Sequence, residues 1–375
     1  MSDRQRIVIL GLTITSSWGN GHATTYRGLV RELARRKHEV LFLERDAPWY
    51  APHRDLPRPP YGRTRLYSTV DELKDRFARD IRQADVVVVG SYVPDGIAVG
   101  EWVCATARGV TAFYDIDTPV TLAAIEAGNC TYLSPTVLPR YQLYLSFTGG
   151  PTLARLEREY GARRARAFYC SFDPALYHPE RREPDWDLGY MGTFSPDRQP
   201  SLERLMLDAA RRSSYRFVVA GPGYRSTEWP TSVRHVDHVP ASEHRAFYTS
   251  LRFTLNLTRA DMIRAGYSPS VRLFEAAACG VPIISDAWRG LDTIFRPGSE
   301  ILISGSAAQT LRLLNEVSER ERRAIARRAR QRVLAEHTAE HRAVQLEQYV
   351  DEARGIRRRS SAVRRAASAA PVAVP

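Results

Sequence analysis

The chain has 375 residues, 43% of them hydrophobic and 26% charged, which fits about two ordinary domains with real cores and excludes a disordered chain. Cys104, Cys130, Cys170 and Cys279 share no short spacing, which argues against a thiolate metal site or redox pair and fits a reducing cytoplasm. The net charge of +12 is spread over helical stretches such as RELARRK and over 351–375, where six arginines stand against Asp351 and Glu352, so it reads as surface chemistry rather than a nucleic-acid signature.

The opening MSDRQRIV has no signal-peptide pattern, and no window approaches the about 18 apolar residues that span a bilayer. RIVILGLTI (6–14) is a buried-type strand, followed by the glycine-containing loop SSWGNG, a helical pattern to residue 36, and the strand HEVLFLERD (38–46). Strand, loop, helix and strand in this order make a right-handed βαβ unit of a parallel sheet. Trp18, Gly19, Asn20 and Gly21 in that loop are acceptor-binding candidates, and His22 is a catalytic one, because closely spaced glycines let a ligand approach the backbone at a helix start. The loop lacks both GxxxxGK[ST] and GxGxxG, which disfavours a phosphate-binding NTPase loop and hydride transfer.

PRPPYG (57–62) marks a loop, DELKDRFARDIRQ (71–83) an amphipathic helix, ADVVVVG (84–90) a buried strand and 96–108 a helix. GVTAFYDID (109–117) then ends on Asp115 and Asp117. Residues two apart on a strand share a face, so both carboxylates are candidates to take a proton from an acceptor. The alternative is a helix-capping turn before Pro119. The DxD spacing alone is too short to imply a metal, and none is expected.

SFDPALYHPERREPDW (171–186) reads as a linker. A second α/β series begins at DLGYMGT (187–193), with a helix over 200–212 and strands at 215–221, 254–257, 281–285 and 301–304. Thr193 and Arg198 stand after its first strand, Gly221 and Gly223 after YRFVV, and Arg259, Arg272 and Ser270 in TRADMIRAGYSPSVRLFEAAACGVPIIS (258–285). Arginines and free amides at a helix start suit a diphosphate. Ser270 is expected to cap the helix beginning at Val271, and Glu275 inside it suits ribose hydroxyls. A helical pattern from 308 to 350 and an arginine- and alanine-rich tail complete the chain.

The segment 258–285, with GYMGTFSPDRQ (189–199), resembles glycosyltransferases of the GT-B fold, and within them the CgeB-like branch of the family 4-like enzymes. The resemblance implies an α/β fold of two Rossmann-like doubly wound domains about a cleft. It divides the chain into an acceptor-binding domain over 1–178, a nucleotide-sugar domain over 187–336, a helix over 337–354 able to cross back to the first domain, and a disordered basic tail over 355–375. It assigns Glu275 to the ribose, Ser270 and Val271 to donor phosphate, and Arg198 and Arg259 to the diphosphate side. Where many family 4 enzymes carry a first glutamate near the sugar, this chain has Tyr267, which leaves retaining or inverting stereochemistry open.

The expected activity is hexosyl transfer from a nucleoside-diphosphate-sugar to a hydroxyl or amine of a small-molecule, glycan or lipid-linked acceptor, without cofactor or metal. The expected setting is the cytoplasm, with room for peripheral contact at the inner membrane face, and nucleic acid is not an expected partner. Epimerase or hydrolase chemistry on the same fold, or noncatalytic nucleotide-sugar binding, are the alternatives.

Overall fold

A computed structural model describes residues 4–19, 21–225 and 227–355. The first half runs β1 (Arg6–Gly11), α1 (His22–Arg35), β2 (Glu39–Arg45), β3 (Arg63–Tyr67), α2 (Val70–Gln83), β4 (Val86–Gly90), α3 (Gly96–Thr106), β5 (Val110–Asp115), α4 (Thr118–Glu126), β6 (Leu143–Ser146), α5 (Pro151–Arg158) and β7 (Ala165–Ala167). The second half runs β8 (Trp186–Met191), α6 (Gln199–Leu202), a π-helical turn Glu203–Leu207, α7 (Asp208–Arg211), β9 (Phe217–Ala220), β10 (Val233–Val236), α8 (His244–Thr249), β11 (Leu251–Asn256), α9 (Ala260–Ala265) and α10 (Val271–Ala278). β12 (Ile283–Ser285), β13 (Leu302–Ile303), α11 (Ala307–Glu316), α12 (Glu319–Glu336) and α13 (Ala339–Ala353) follow.

The strands form two parallel sheets, one ordered β3-β2-β1-β4-β5-β6-β7 and the other β10-β9-β8-β11-β12-β13. In β4 all five residues of VVVVG are buried, because helices cover both faces and β-branched side chains fill the pleat. The strand order reverses between β1 and β4 in one sheet and between β8 and β11 in the other. At such a reversal adjacent loops diverge at the carboxyl ends of the strands and leave a crevice. The two crevices face each other across one cleft lined from both sheets.

β3, β6, β7 and β10 (RTRLY, LYLS, ARA and VRHV) lie outside the strands expected from sequence. Three of them are sheet edges, where one side of the ladder is open and the hydrophobic pattern is weak. The helical pattern over 308–350, with a separate helix expected at 337–354, is three helices, the last of them α13. Ser318 and Thr338 break it, since each accepts a backbone N–H of the following helix, from Glu321 and His341 respectively.

α13 leaves the second half and packs on α1 of the first. The Ala339 N–H donates to the Phe172 carbonyl at 2.9 Å. The Arg342 guanidinium, 2% exposed, donates to the Tyr169 carbonyl at 2.8 Å and the Cys170 carbonyl at 3.4 Å. Glu347 receives Arg36 at 2.6 and 2.8 Å and faces His38 Nε2 at 2.8 Å. The basic tail expected over 355–375 lies outside the described residues apart from Gly355. Among the described residues no helix is long and apolar enough to cross a membrane.

Candidate active site

A cleft of about 350 Å³ opens between the two sheets and is lined from both. From the first come Ser17, Gly19, Gly21 and His22 after β1, and Ile116 and Asp117 after β5. The second gives Gly192, Thr193 and Arg198 after β8, Gly221 after β9, Thr258 and Arg259 after β11, and Ser270, Val271, Arg272 and Glu275 on α10. Gly21 and Val271 bring the halves close, since a Cβ on Gly21 would stand 3.3 Å from Val271 Cγ1.

The second half brings arginines to the cleft. Arg272, 7% exposed, donates from Nε to the Met191 carbonyl at 2.6 Å and from Nη1 to Asn256 Oδ1 at 3.1 Å, with its guanidinium over the Tyr190 ring. Neutral acceptors fix its orientation, and among the described residues no carboxylate forms an ion pair with it, so its charge acts on the cleft. A Cβ on Gly192 would lie 2.8 Å from Arg272 Nη2, which is why the chain is bare there. Arg198 Nη2 donates to the Thr193 carbonyl at 2.7 Å, while its Nε has no hydrogen-bond partner.

The Ser270 side chain does not cap α10, contrary to expectation. Its hydroxyl donates to Asn256 Oδ1 at 2.8 Å, because β11 ends with Asn256 directly beneath the helix start. The Leu273 N–H donates to the Ser270 carbonyl at 3.1 Å, so the first-turn amides without a cap from the Ser270 side chain are those of Val271 and Arg272. One turn on, burial raises Glu275 to about 7 against the favourable hydrogen bonds of Tyr177 and Tyr248 and the charge of Arg272. Tyr248 donates to its Oε2 at 3.4 Å and His244 Nδ1 lies 3.9 Å away. Burial lowers His244 to about 4, so this neighbour is neutral near pH 7.

The first half offers a carboxylate and an imidazole. Asp117 Oδ2 accepts the Tyr92 hydroxyl at 3.0 Å and faces Arg259 Nη1 at 3.7 Å. Burial lowers His22 below the ordinary imidazole value, and the charge of Asp117 opposes this, so the neutral imidazole is favoured near pH 7.

Several candidates stand elsewhere. Asp115 is fully buried behind the cleft. Its carboxylate accepts the Tyr144 hydroxyl at 2.5 Å, the Thr121 hydroxyl at 2.8 Å and the Asp117 N–H at 3.2 Å. The two aspartates do not face one ligand, because the chain turns into α4 after β5 and leaves Asp115 inside. Burial raises Asp115 to about 6. Tyr267, at φ +50, has its ring wedged between Gly150 and Gly290 in the seam between the halves rather than in the cleft lining. Gly223 packs against Phe194, and Trp18 stacks on His53 at the cleft edge, with ring centroids 4.4 Å apart. Asn20 lies outside the described residues.

Sequence reasoning missed Asn256, which orients both Ser270 and Arg272, and Asp286, which accepts the Thr258 N–H and hydroxyl at 2.9 and 2.8 Å. Both stand at the carboxyl ends of expected strands, and that placement was the available signal. Tyr92, just past the expected strand 84–90, carried the same signal, whereas Tyr177, Tyr248 and His244 had none, since they gather around Glu275 only through tertiary packing. Among the described residues no group of three or more His, Cys, Asp and Glu side chains could hold a metal ion.

A family model described as glycosyl transferase-like matches residues 198–348. No curated protein matches. Among solved structures, sucrose-phosphate synthase from Thermosynechococcus elongatus superposes with a TM-score of 0.67 at 14% identity, covering 94% of this chain and 100% of that one. Anabaena Alr3699/HepE in complex with UDP and glucose gives 0.68 at 12% identity, over 93% and 100%. An alpha-glucosyltransferase in complex with UDP-glucose and DNA containing an abasic site gives 0.68 at 13% identity, over 92% and 99%. The fold is therefore GT-B, two Rossmann-like domains facing a cleft. The DNA complexes overturn one expectation, that nucleic acid is not a partner to consider: an alpha-glucosyltransferase of this fold is seen in complex with DNA.

Proposed function

We propose that the protein is a glycosyltransferase that binds a nucleoside-diphosphate-sugar on the second half of the cleft and transfers the sugar to a nucleophile held by the first. The observation that carries this reading is the pairing of two strand-order reversals. One presents Arg272, Arg198 and the open start of α10, and the other presents Asp117 and His22. The glycosyl transferase-like match over 198–348 contains Arg259, Ser270 and Glu275 and supports glycosyl transfer, while the family 4-like, CgeB-like assignment rests on the segment 258–285.

In the transfer, the bond between the anomeric carbon and the β-phosphate oxygen breaks, and its electron pair leaves with the nucleoside diphosphate. Arg272, Arg198 and the α10 amides offset the charge that develops there. The acceptor oxygen or nitrogen forms the new bond to the anomeric carbon. Its proton passes to Asp117 or to neutral His22 if the centre inverts. Glu275 receives the ribose hydroxyls. The diphosphate is offset by these cationic and amide groups rather than by a resident metal, which accords with Asp115 having its carboxylate committed to Tyr144 and Thr121. Residues 1–178 form the acceptor side and 187–336 the donor side. A reducing cytoplasm suits the four free cysteines.

The test is a mass-spectrometric screen of the purified protein with UDP-, GDP- and dTDP-sugars, with and without an acceptor extract and with a DNA duplex as a separate arm. A sugar-sized gain on an acceptor with matched nucleoside diphosphate release, lost in Glu275→Ala and Arg272→Ala, is expected. Donor conversion without acceptor would replace transfer by hydrolysis or epimerisation. Binding without turnover would leave a sensor.

A further inference from the structure

We infer that Arg259 couples the two halves of the cleft: its guanidinium is shared between Asp117 and Asp197, and a donor diphosphate draws it off Asp117. This rests on the donor reading above. Arg259 stands immediately before α9, which packs against α4, the helix that Asp117 precedes. Its Nη1 lies 3.7 Å from Asp117 Oδ2 in the first half, and its Nε lies 3.7 Å from Asp197 Oδ2 in the second. Both distances are within ion-pair reach but too long for hydrogen bonds, and Nε has no hydrogen-bond partner. The cation is therefore divided between two carboxylates without being locked to either.

The two carboxylates are not equivalent. Asp197 is tied by the Ala260 N–H at 3.0 Å and by the Ser195 hydroxyl, so it anchors Arg259 to the donor loops. Asp117 is held instead by Tyr92, whose backbone sits at φ +62 and whose ring lies 5.5 Å from His22 and 4.7 Å from Tyr132. A tyrosine in the left-handed region persists only where its surroundings hold it there, so its hydroxyl keeps Asp117 oriented after the arginine leaves. Arg198 and Arg259 both line the cleft. A diphosphate offers paired oxygens to the guanidinium fork, which a carboxylate at this distance and partial exposure does not match. While Arg259 faces Asp117, that carboxylate is less available to an acceptor proton. With donor bound it becomes free, so donor occupancy and readiness of the acceptor side become one event.

The coupling is measurable by binding alone. Calorimetric titration of the full chain with UDP, GDP and dTDP is expected to show Arg259→Gln weakening the preferred nucleotide about tenfold or more. Asp117→Asn is expected to tighten it about three- to fivefold, by removing the competitor. The deciding quantity is the double variant: in the Arg259→Gln background, Asp117→Asn should no longer change affinity. An equal gain in both backgrounds would mean that Asp117 repels the diphosphate directly, and no gain in either would mean that it does not compete. Each result overturns the coupling while leaving donor binding intact. If the wild-type protein binds none of the three nucleotides, the donor reading falls and the coupling with it. Should Arg259→Gln lose its folded circular dichroism spectrum, Arg259→Lys, which keeps the charge but not the fork, provides the second background and should show a reduced gain.

Discussion

Glu275 holds a carboxyl inside the protein at an acidity of about 7, against an ordinary value of 4.5. Between those values the folded state keeps a proton that the unfolded chain has lost, so stability falls as pH rises through this range, by about 3 kcal/mol at most. Thermal unfolding followed from pH 5 to pH 8 should show that slope flattened in Glu275→Gln. The binding consequence has the opposite sign. A protonated carboxyl accepts fewer ribose hydrogen bonds, so nucleoside diphosphate affinity should drop as pH falls below about 7, and Glu275→Gln should bind weakly at every pH. Gly192 makes a separate demand. An added methyl would stand 2.6 Å from the Tyr190 hydroxyl and 2.8 Å from Arg272 Nη2, so Gly192→Ala must displace the buried guanidinium. Calorimetry with the preferred nucleotide is expected to show about tenfold weaker binding, with little change in the far-ultraviolet spectrum.

Among the elements, α13 is the strap that returns from the second half to the first, and its hold is polar as well as apolar. Glu347, almost wholly buried, compensates Arg36 and faces the buried His38. Its removal leaves those groups without their carboxylate, and urea unfolding of Glu347→Ala should register a loss of about 2 kcal/mol or more. The seam at Tyr267 depends on bare backbone instead. Gly150 has φ +58, and a methyl there would run into one edge of the Tyr267 ring, whose opposite edge meets Gly290. Gly150→Ala combines backbone strain with that collision, costing about 1–3 kcal/mol. Because the Gly149 N–H donates to the Tyr267 carbonyl at 2.9 Å and Thr148 meets Ser268 at 2.7 Å, this variant should also loosen the two halves, seen as faster amide exchange at 148–150 and 266–268.

At the scale of the molecule, a ligand filling the cleft touches loops of both sheets and therefore stabilises both. A nucleoside diphosphate at a hundred times its dissociation constant adds about 2.7 kcal/mol to any cooperative unit that forms its site. In scanning calorimetry a nucleoside diphosphate alone is expected to raise the transition of the second half, which holds it, and a shift confined to the first half would argue against that placement. The sequence by itself determined the alternation of apolar strands and amphipathic helices, hence two doubly wound parallel sheets. It also determined which loops follow the strands, and so singled out Asp117, His22, Arg198, Arg272 and Glu275, which line the cleft, because local periodicity and strand-end position are properties of neighbouring residues. Edge strands such as RTRLY and VRHV escaped it, since an open ladder edge imposes little hydrophobic pattern. Only the tertiary structure decided between Asp115 and Asp117, which are two residues apart in FYDIDTP: the turn into α4 buries one in a hydroxyl cage and presents the other to the cleft. It alone turned Tyr267 into the seam, drew Tyr92 and Asn256 to the site, and set Arg259 between carboxylates from opposite halves. Those choices depend on which surfaces two separately wound sheets bring together, and no local window of sequence contains that contact.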